Sequence, residues 1–174
     1  SLLSPRNGTA SIPKPPMKRE FSAGGVVVRR LRGRRHVAAI RPAGKPEGTW
    51  ALPKGLVSRG ERAEAAAVRE TVEETGVEGA VVEKLGDVRY VYTWQGERIF
   101  KVVSFFLLRY RSGRLGKLAP ATAHEIADVA WLPLEEAPRL LAYNGEREMV
   151  ERARARLADA DATAAQASRG PEEL

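Results

Sequence analysis

The chain contains no cysteine among its 174 residues, which excludes disulfides, thiolate metal sites and cysteine nucleophiles. No apolar run approaches the roughly 20 residues that a membrane-spanning helix requires. The N-terminal stretch Ser1 to Pro16 is rich in Pro and Ser and lacks the apolar region of a secretory leader. No internal repeat is visible. With these classes set aside, a cytoplasmic enzyme is the simplest reading.

What remains is an ordinary globular composition with 43% hydrophobic residues, and a length that fits one domain with a substantial core. The net charge is +7 and the pI is near 10.0. Such an excess favours polyanionic partners, either nucleic acid or phosphate-rich small molecules. Arginines occur at Arg29, Arg30, Arg32, Arg34, Arg35 and Arg41, and again at Arg147, Arg152, Arg154 and Arg156. No aromatic-interleaved RNA-binding motif accompanies them, so nucleic acid ranks second to a small-molecule nucleotide. The protein is expected to act as a monomer or homodimer.

Residues 1–17 and 159–174 read as flexible tails around a domain at 18–158. Strands are predicted near 20–30, 35–41, 79–93, 98–111 and 126–132. The paired glycines Gly24 and Gly25 point to a bulge or a close backbone approach. Helices are predicted at about 62–75, 134–141 and 144–158, the first stopped by Gly76. Mixed strands with helices between and after them indicate an α/β/α sandwich.

Within the first helix, Glu70, Glu73 and Glu74 form one face at about 100° per residue. Val68 and Val72 point roughly the opposite way, so the valine side is expected to pack inward. Acids are unfavourable at the negative end of a helix dipole, and like charges at i,i+3 and i,i+4 repel. Arg69 can neutralise Glu73, leaving Glu70 and Glu74 without an evident helical partner. Hard divalent cations such as Mg²⁺ would make the arrangement favourable.

The span Gly55 to Val77 resembles the Nudix box, G-x5-E-x7-R-E-U-x-E-E-x-G-U, with U a bulky aliphatic residue. Gly55, Glu61, Arg69, Glu70, Glu73, Glu74, Gly76 and Val77 fall in register, and Thr71 alone departs, at a core-facing aliphatic position. Trp50-Ala-Leu-Pro-Lys-Gly55 is similar to the entry of MutT-type and diadenosine-polyphosphate-type members. Ser22 to Val26, Ala130 to Ala137 and Leu141 to Arg147 are similar to their first strand, last strand and closing helix. The resemblance covers roughly residues 18–157 and implies the Nudix fold with a mixed β-sheet.

The resemblance also implies a Mg²⁺-dependent pyrophosphohydrolase, with Mn²⁺ as a substitute, acting on a nucleotide. Carried over by position, Glu70, Glu74 and Glu73 are candidate metal ligands, with the Gly55 carbonyl as a further one. Glu73, Glu70 and Arg69 are the candidate catalytic group, and Glu61 is expected to bond back to Arg69. Lys54, Arg41, Lys101 and Glu125 are candidate substrate contacts. Lys54 has a competing reading as the partner of a nearby acid, and His124 reads as a surface residue. Tyr90, Tyr92, Trp94 and Phe106 read as core, or less often as a base-stacking surface. Dinucleoside polyphosphates lead as substrates, followed by oxidised or ordinary nucleoside triphosphates, then diphosphoinositol polyphosphates. A non-catalytic binding module of the same fold is disfavoured, because all three box glutamates are present.

Overall fold

The apolar run ending at Val28 forms the middle of strand β1 (Lys18–Leu31) and is buried on both faces, as a central strand between two helical layers requires. These features come from a computed structural model that describes residues 17–171 together with Gly8. The expected tail at 1–17 lies outside the described residues, Gly8 and Met17 apart. β1 turns through Arg32 (φ 52°) and Gly33 (φ 78°) into antiparallel β2 (Arg34–Pro42). Positive φ at both turn residues matches the twist of a two-residue hairpin.

The other side of β1 pairs in parallel with β5 (Glu97–Gly113), setting Gly24 beside Phe105. β4 (Val77–Trp94) and β6 (Ile126–Pro133) complete the sheet order β4-β5-β1-β2-β6, with short β3 (Lys54–Leu56) antiparallel to β1. Helix α1 (Ala63–Thr75) covers one face, where Ala66 and Ala67 meet Ala23, Val27, Phe106 and Leu108. Helix α4 (Asn144–Ser168) covers the other, where Met149, Val150 and Ala153 meet Val26, Val37, Phe105 and Leu107. The architecture is an α/β/α sandwich on a mixed sheet, as expected. The single-turn helices α2 (Pro120–Ala123) and α3 (Ala137–Leu140) flank β6.

Three expectations change. Val72 does not pack inward but is 39% exposed, and the buried side of α1 is Ala66, Ala67, Thr71 and Thr75. Glu74 lies only about 60° around the helix from Thr71. The acid face therefore adjoins the packed face instead of opposing it. Small residues suffice for the contact because the sheet beneath is glycine: a Cβ on Gly25 would fall onto the Thr71 hydroxyl. Next, the helix predicted at 134–141 is one turn at Ala137–Leu140, since Leu134 is buried and its N–H bonds the Arg35 carbonyl at 2.9 Å. Finally, α4 continues past 158 to Ser168. Ala-rich sequence favours helix, and Asp161 accepts two bonds from Arg35 at 2.7 and 2.8 Å.

Candidate active site

β3 lays the Lys54–Leu56 backbone alongside β1, with Gly55 opposite Ala23, and so presents it to the acidic side of α1. A Cβ on Gly55 would fall onto the Glu70 carboxylate, so glycine is what lets the two meet. The Lys54 N–H donates to Glu74 Oε1 at 2.8 Å. Burial pushes the Glu74 carboxyl up to about 8; that N–H opposes the shift, and the charges of Glu70 and Glu125 add to it. Burial also raises Glu70, against the pull of Arg69.

Arg69 holds the rest of the cluster. Its guanidinium donates to Glu61 twice at 2.9 Å, to Glu70 at 2.8 Å, to Glu73 at 3.2 Å and to the Leu56 carbonyl at 3.0 Å. Glu61 bonds back to Arg69 as expected, also accepts from the Ser58 N–H at 3.0 Å, and is held down to about 2, chiefly by Arg69. Arg69 thus serves Glu70 as well as Glu73, and Glu74 alone keeps no side-chain cation. Among the described residues, no three acid or imidazole side chains already converge as a cation-binding set, because Arg69 draws Glu61, Glu70 and Glu73 to itself. The donors still suit a hard divalent ion: Glu70 and Glu74 offer carboxylate oxygens whose charge burial disfavours.

Lys54 connects this cluster to a cleft of about 710 Å³ lined by Asp87, Arg89, Tyr90, Phe105, Tyr143 and Glu146, among others. Its Nζ lies 3.0 Å from Glu146 Oε2 and 5.5 Å from the Tyr143 ring centre. Glu146 is 2% exposed, and its other oxygen accepts the Leu52 N–H at 2.6 Å. Burial works against the Lys54 charge, but the Glu146 carboxylate outweighs it and the ammonium is held above its usual range. Both readings of Lys54 hold together: it pairs with an acid and it faces the cleft.

A second cleft of about 500 Å³ adjoins through Tyr90 and contains Lys18, Glu20, Tyr92, Trp94 and Lys101. Lys101 stands opposite Tyr90 on β5; burial lowers it, Glu20 counters, and Lys54 adds to the lowering. Tyr92 donates to the Glu20 carboxylate, which raises its hydroxyl to about 12. Tyr90, Tyr92 and Trp94 therefore line a surface, whereas Phe106 is core. Glu125 is exposed, and its charge reaches Glu74; His124, beside it at 3.8 Å, is at the surface as expected. Arg41 is placed elsewhere, donating to the Lys45 carbonyl at 3.2 Å and lining neither cleft, with its buried Nε unpartnered among the described residues.

Two groups escaped the sequence reading. Glu146 looks like any acid in the first turn of a helix, and only the fold brings it to Lys54. Asp87 accepts from Ser104 at 2.7 Å and from Arg89 at 3.2 Å on the cleft wall. Burial would raise its carboxyl, but Ser104 and Lys84 prevail and it is held low.

Comparison with known proteins agrees with this geometry. The NUDIX domain model matches residues 19–153. The chain is 37% identical over 152 residues to the putative mutator protein MutT4 of Mycobacterium tuberculosis, covering 85% of this chain and 58% of that protein. It thus spans less than two thirds of that relative's length. Among solved structures, a C. elegans Ap4A hydrolase binary complex superposes with a TM-score of 0.58 at 25% identity, over 80% of this chain and 98% of that one. A MutT NUDIX hydrolase from Burkholderia pseudomallei gives a TM-score of 0.59 at 25% identity, over 78% and 98%. With most of its length matched by the domain model and the box residues gathered at one site, this chain belongs to the Nudix hydrolase family.

Proposed function

We propose that the protein hydrolyses a phosphoric anhydride bond in a dinucleoside polyphosphate, with Mg²⁺ or Mn²⁺ held by Glu70 and Glu74 beside the Gly55 backbone. Water adds to one phosphorus, the bridging P–O bond breaks, and two phosphorylated products leave. The observation that carries this reading is the desolvated pair Glu70 and Glu74 against Gly55, with Lys54 joining it to an open cleft. A divalent ion at that pair supplies charge neutralisation and an activated water.

The remaining work falls to side chains. The Lys54 ammonium, fixed by Glu146, meets phosphate oxygens at the cleft mouth. Arg69 keeps Glu73 and Glu70 facing one another across its guanidinium. Glu125 is close enough to Glu74 to join them from the loop before β6. Two clefts sharing Tyr90 support a substrate with two nucleosides, because a mononucleotide needs one. The likeness to an Ap4A hydrolase points the same way.

A second reading, house-cleaning of oxidised or ordinary nucleoside triphosphates, is favoured by the likeness to a mutator protein. A hydrolysis panel of Ap4A, 8-oxo-dGTP and dGTP, with Mg²⁺ and with chelator, separates the two. Ap4A should turn over fastest and only with the metal present. Preference for 8-oxo-dGTP selects the second reading, and no product from any of them counts against both.

A further inference from the structure

The end of the sheet away from Gly55 carries a second collection of functional groups. Arg29 lies five residues beyond Gly24 on β1, about 17 Å along the strand. On the face that includes Val27 and Ala38, its guanidinium sits 4.1 Å from the centre of Tyr110 on β5 and 5.7 Å from that of Trp131 on β6. The two rings meet edge to face at 5.9 Å. His36 pairs directly with Arg29 across β1 and β2. Arg34, two residues before His36, shares its face, and Arg32 stands on the turn. Leu31, Arg32, Arg34, His36 and Trp131 enclose a cavity of about 550 Å³.

This cluster is poorly neutralised. Arg34 has only Glu135 at 4.0 Å, with the two side chains 58% and 79% exposed, a pair worth little in water. Arg29 and Arg32 have no ion pair among the described residues, although the hairpin places several cations side by side. Arg30 and Arg109 continue the positive charge onto the other face of the same sheet end. Packing alone does not call for three arginines and a histidine around a half-buried tryptophan. Guanidinium groups match phosphate oxygens, and a partly exposed indole offers a stacking plane for any base.

We propose that this sheet end binds single-stranded nucleic acid, with phosphates on Arg29, Arg32 and Arg34 and a base against Trp131. Charge that continues around both faces fits a polymer better than a free nucleotide. The aromatic residues come from β5 and β6 and the arginines from the β1–β2 hairpin, so no interleaved motif announces the surface in the sequence. The inference is independent of the hydrolytic reading.

The test uses the full chain and 3′-fluorescent, 5′-hydroxyl oligouridylate and oligothymidylate of about ten nucleotides, which offer no anhydride to cleave. Anisotropy at low salt should report binding of at least one of them. Arg32→Gln/Arg34→Gln, both at exposed positions, should weaken it about tenfold or more and reduce the salt slope by about two. Trp131→Phe should weaken it further in that background, while thermal melts confirm folding. Binding should persist in Glu74→Gln and in the presence of saturating nucleotide. Absence of binding, wild-type affinity in the arginine double variant, or displacement by nucleotide would each overturn the proposal.

Discussion

The carboxylate of Glu146, on the first turn of α4, is buried against the Nζ of Lys54 at 3.0 Å and also accepts the Leu52 N–H at 2.6 Å. One acid therefore fixes both the backbone and the ammonium of the segment that enters β3. Glu146→Gln keeps an acceptor for Leu52 but removes the charge that holds Lys54. Breaking a fully buried pair costs about 3–5 kcal/mol. Because the Lys54 side chain retains 30% exposure, the loss should be smaller, about 1–3 kcal/mol in denaturant melts. Steady-state kinetics should show KM raised several-fold with a smaller change in kcat, since the freed ammonium still carries its charge. A fall confined to kcat would place Glu146 among the reacting groups instead.

Glu74 sets a pH dependence for the metal-free protein. Its carboxyl is raised from 4.5 to about 8 in the folded state. An unfolded chain thus releases this proton at lower pH than the folded one. The folded state gains from protonation at low pH, and that advantage is lost as pH rises from about 4.5 towards 8. In chelator, Tm should fall between pH 5.5 and 8.5 by more in wild type than in Glu74→Gln, which cannot ionise. Glu74→Gln should also melt at or above the wild-type temperature at pH 8.5 while losing turnover by orders of magnitude. Equal pH slopes in the two proteins would show that Glu74 does not carry this penalty.

Divalent ions should reverse that penalty. Binding to the folded state alone stabilises it by mass action, about 2.7 kcal/mol at a hundredfold excess over Kd. Mg²⁺ added at pH 8 should therefore raise the wild-type Tm by several degrees and leave Glu70→Gln/Glu74→Gln unmoved. Differential scanning fluorimetry across a Mg²⁺ series reads both. A shift of equal size in the double variant would mean that the ion binds elsewhere.

How much of this was legible beforehand depended on whether the signal was local. The box glutamates, Arg69 and Gly55 lie within one loop and helix, so their spacing alone brought them together. The run Ala23–Val28 declared a strand buried on both faces, and the Gly24-Gly25 pair announced the close approach that Pro53, Phe105 and Thr71 occupy. Val72 was misplaced because the acids were assumed to face away from the core, whereas the helix is anchored by alanine and threonine on a glycine strand. Glu146 was invisible because its partners Leu52 and Lys54 come from a distant segment. The continuation of α4 rests partly on Arg35 meeting Asp161, another pairing no local pattern contains.

Arg69 should not tolerate lysine. Its planar group makes five hydrogen bonds in different directions, four of them to Glu61, Glu70 and Glu73. A lysine ammonium has three donors and no planar fork, so it cannot bridge Glu61 and the two helix acids together. Arg69→Lys should cost about 1–3 kcal/mol of stability and lower kcat/KM by roughly a hundredfold. Glu61→Gln, which keeps acceptors for Arg69 and Ser58, should lose much less activity. If Arg69→Lys and Glu61→Gln prove equally mild, Arg69 is not what positions the acids.

Thr71 is the one box position that departs from an aliphatic residue, and its surroundings explain why the exchange is tolerated. It is fully buried, and its hydroxyl donates to the Ala67 carbonyl at 2.7 Å while the methyl faces the core. That carbonyl also lies in line for the ordinary helical bond from the Thr71 N–H, so losing the hydroxyl orphans nothing. Valine has nearly the same shape, and Thr71→Val should change stability by less than about 1 kcal/mol. A longer side chain has no such room, since even a Cβ on Gly25 would strike the Thr71 hydroxyl. Thr71→Ile should therefore destabilise by about 1–3 kcal/mol through overpacking and disturb Glu70 on the adjacent position. Chemical melts of the two variants, with turnover measured alongside, test whether α1 is set on β1 by that contact: a Thr71→Ile protein as stable and active as Thr71→Val would show that the helix has slack against the strand.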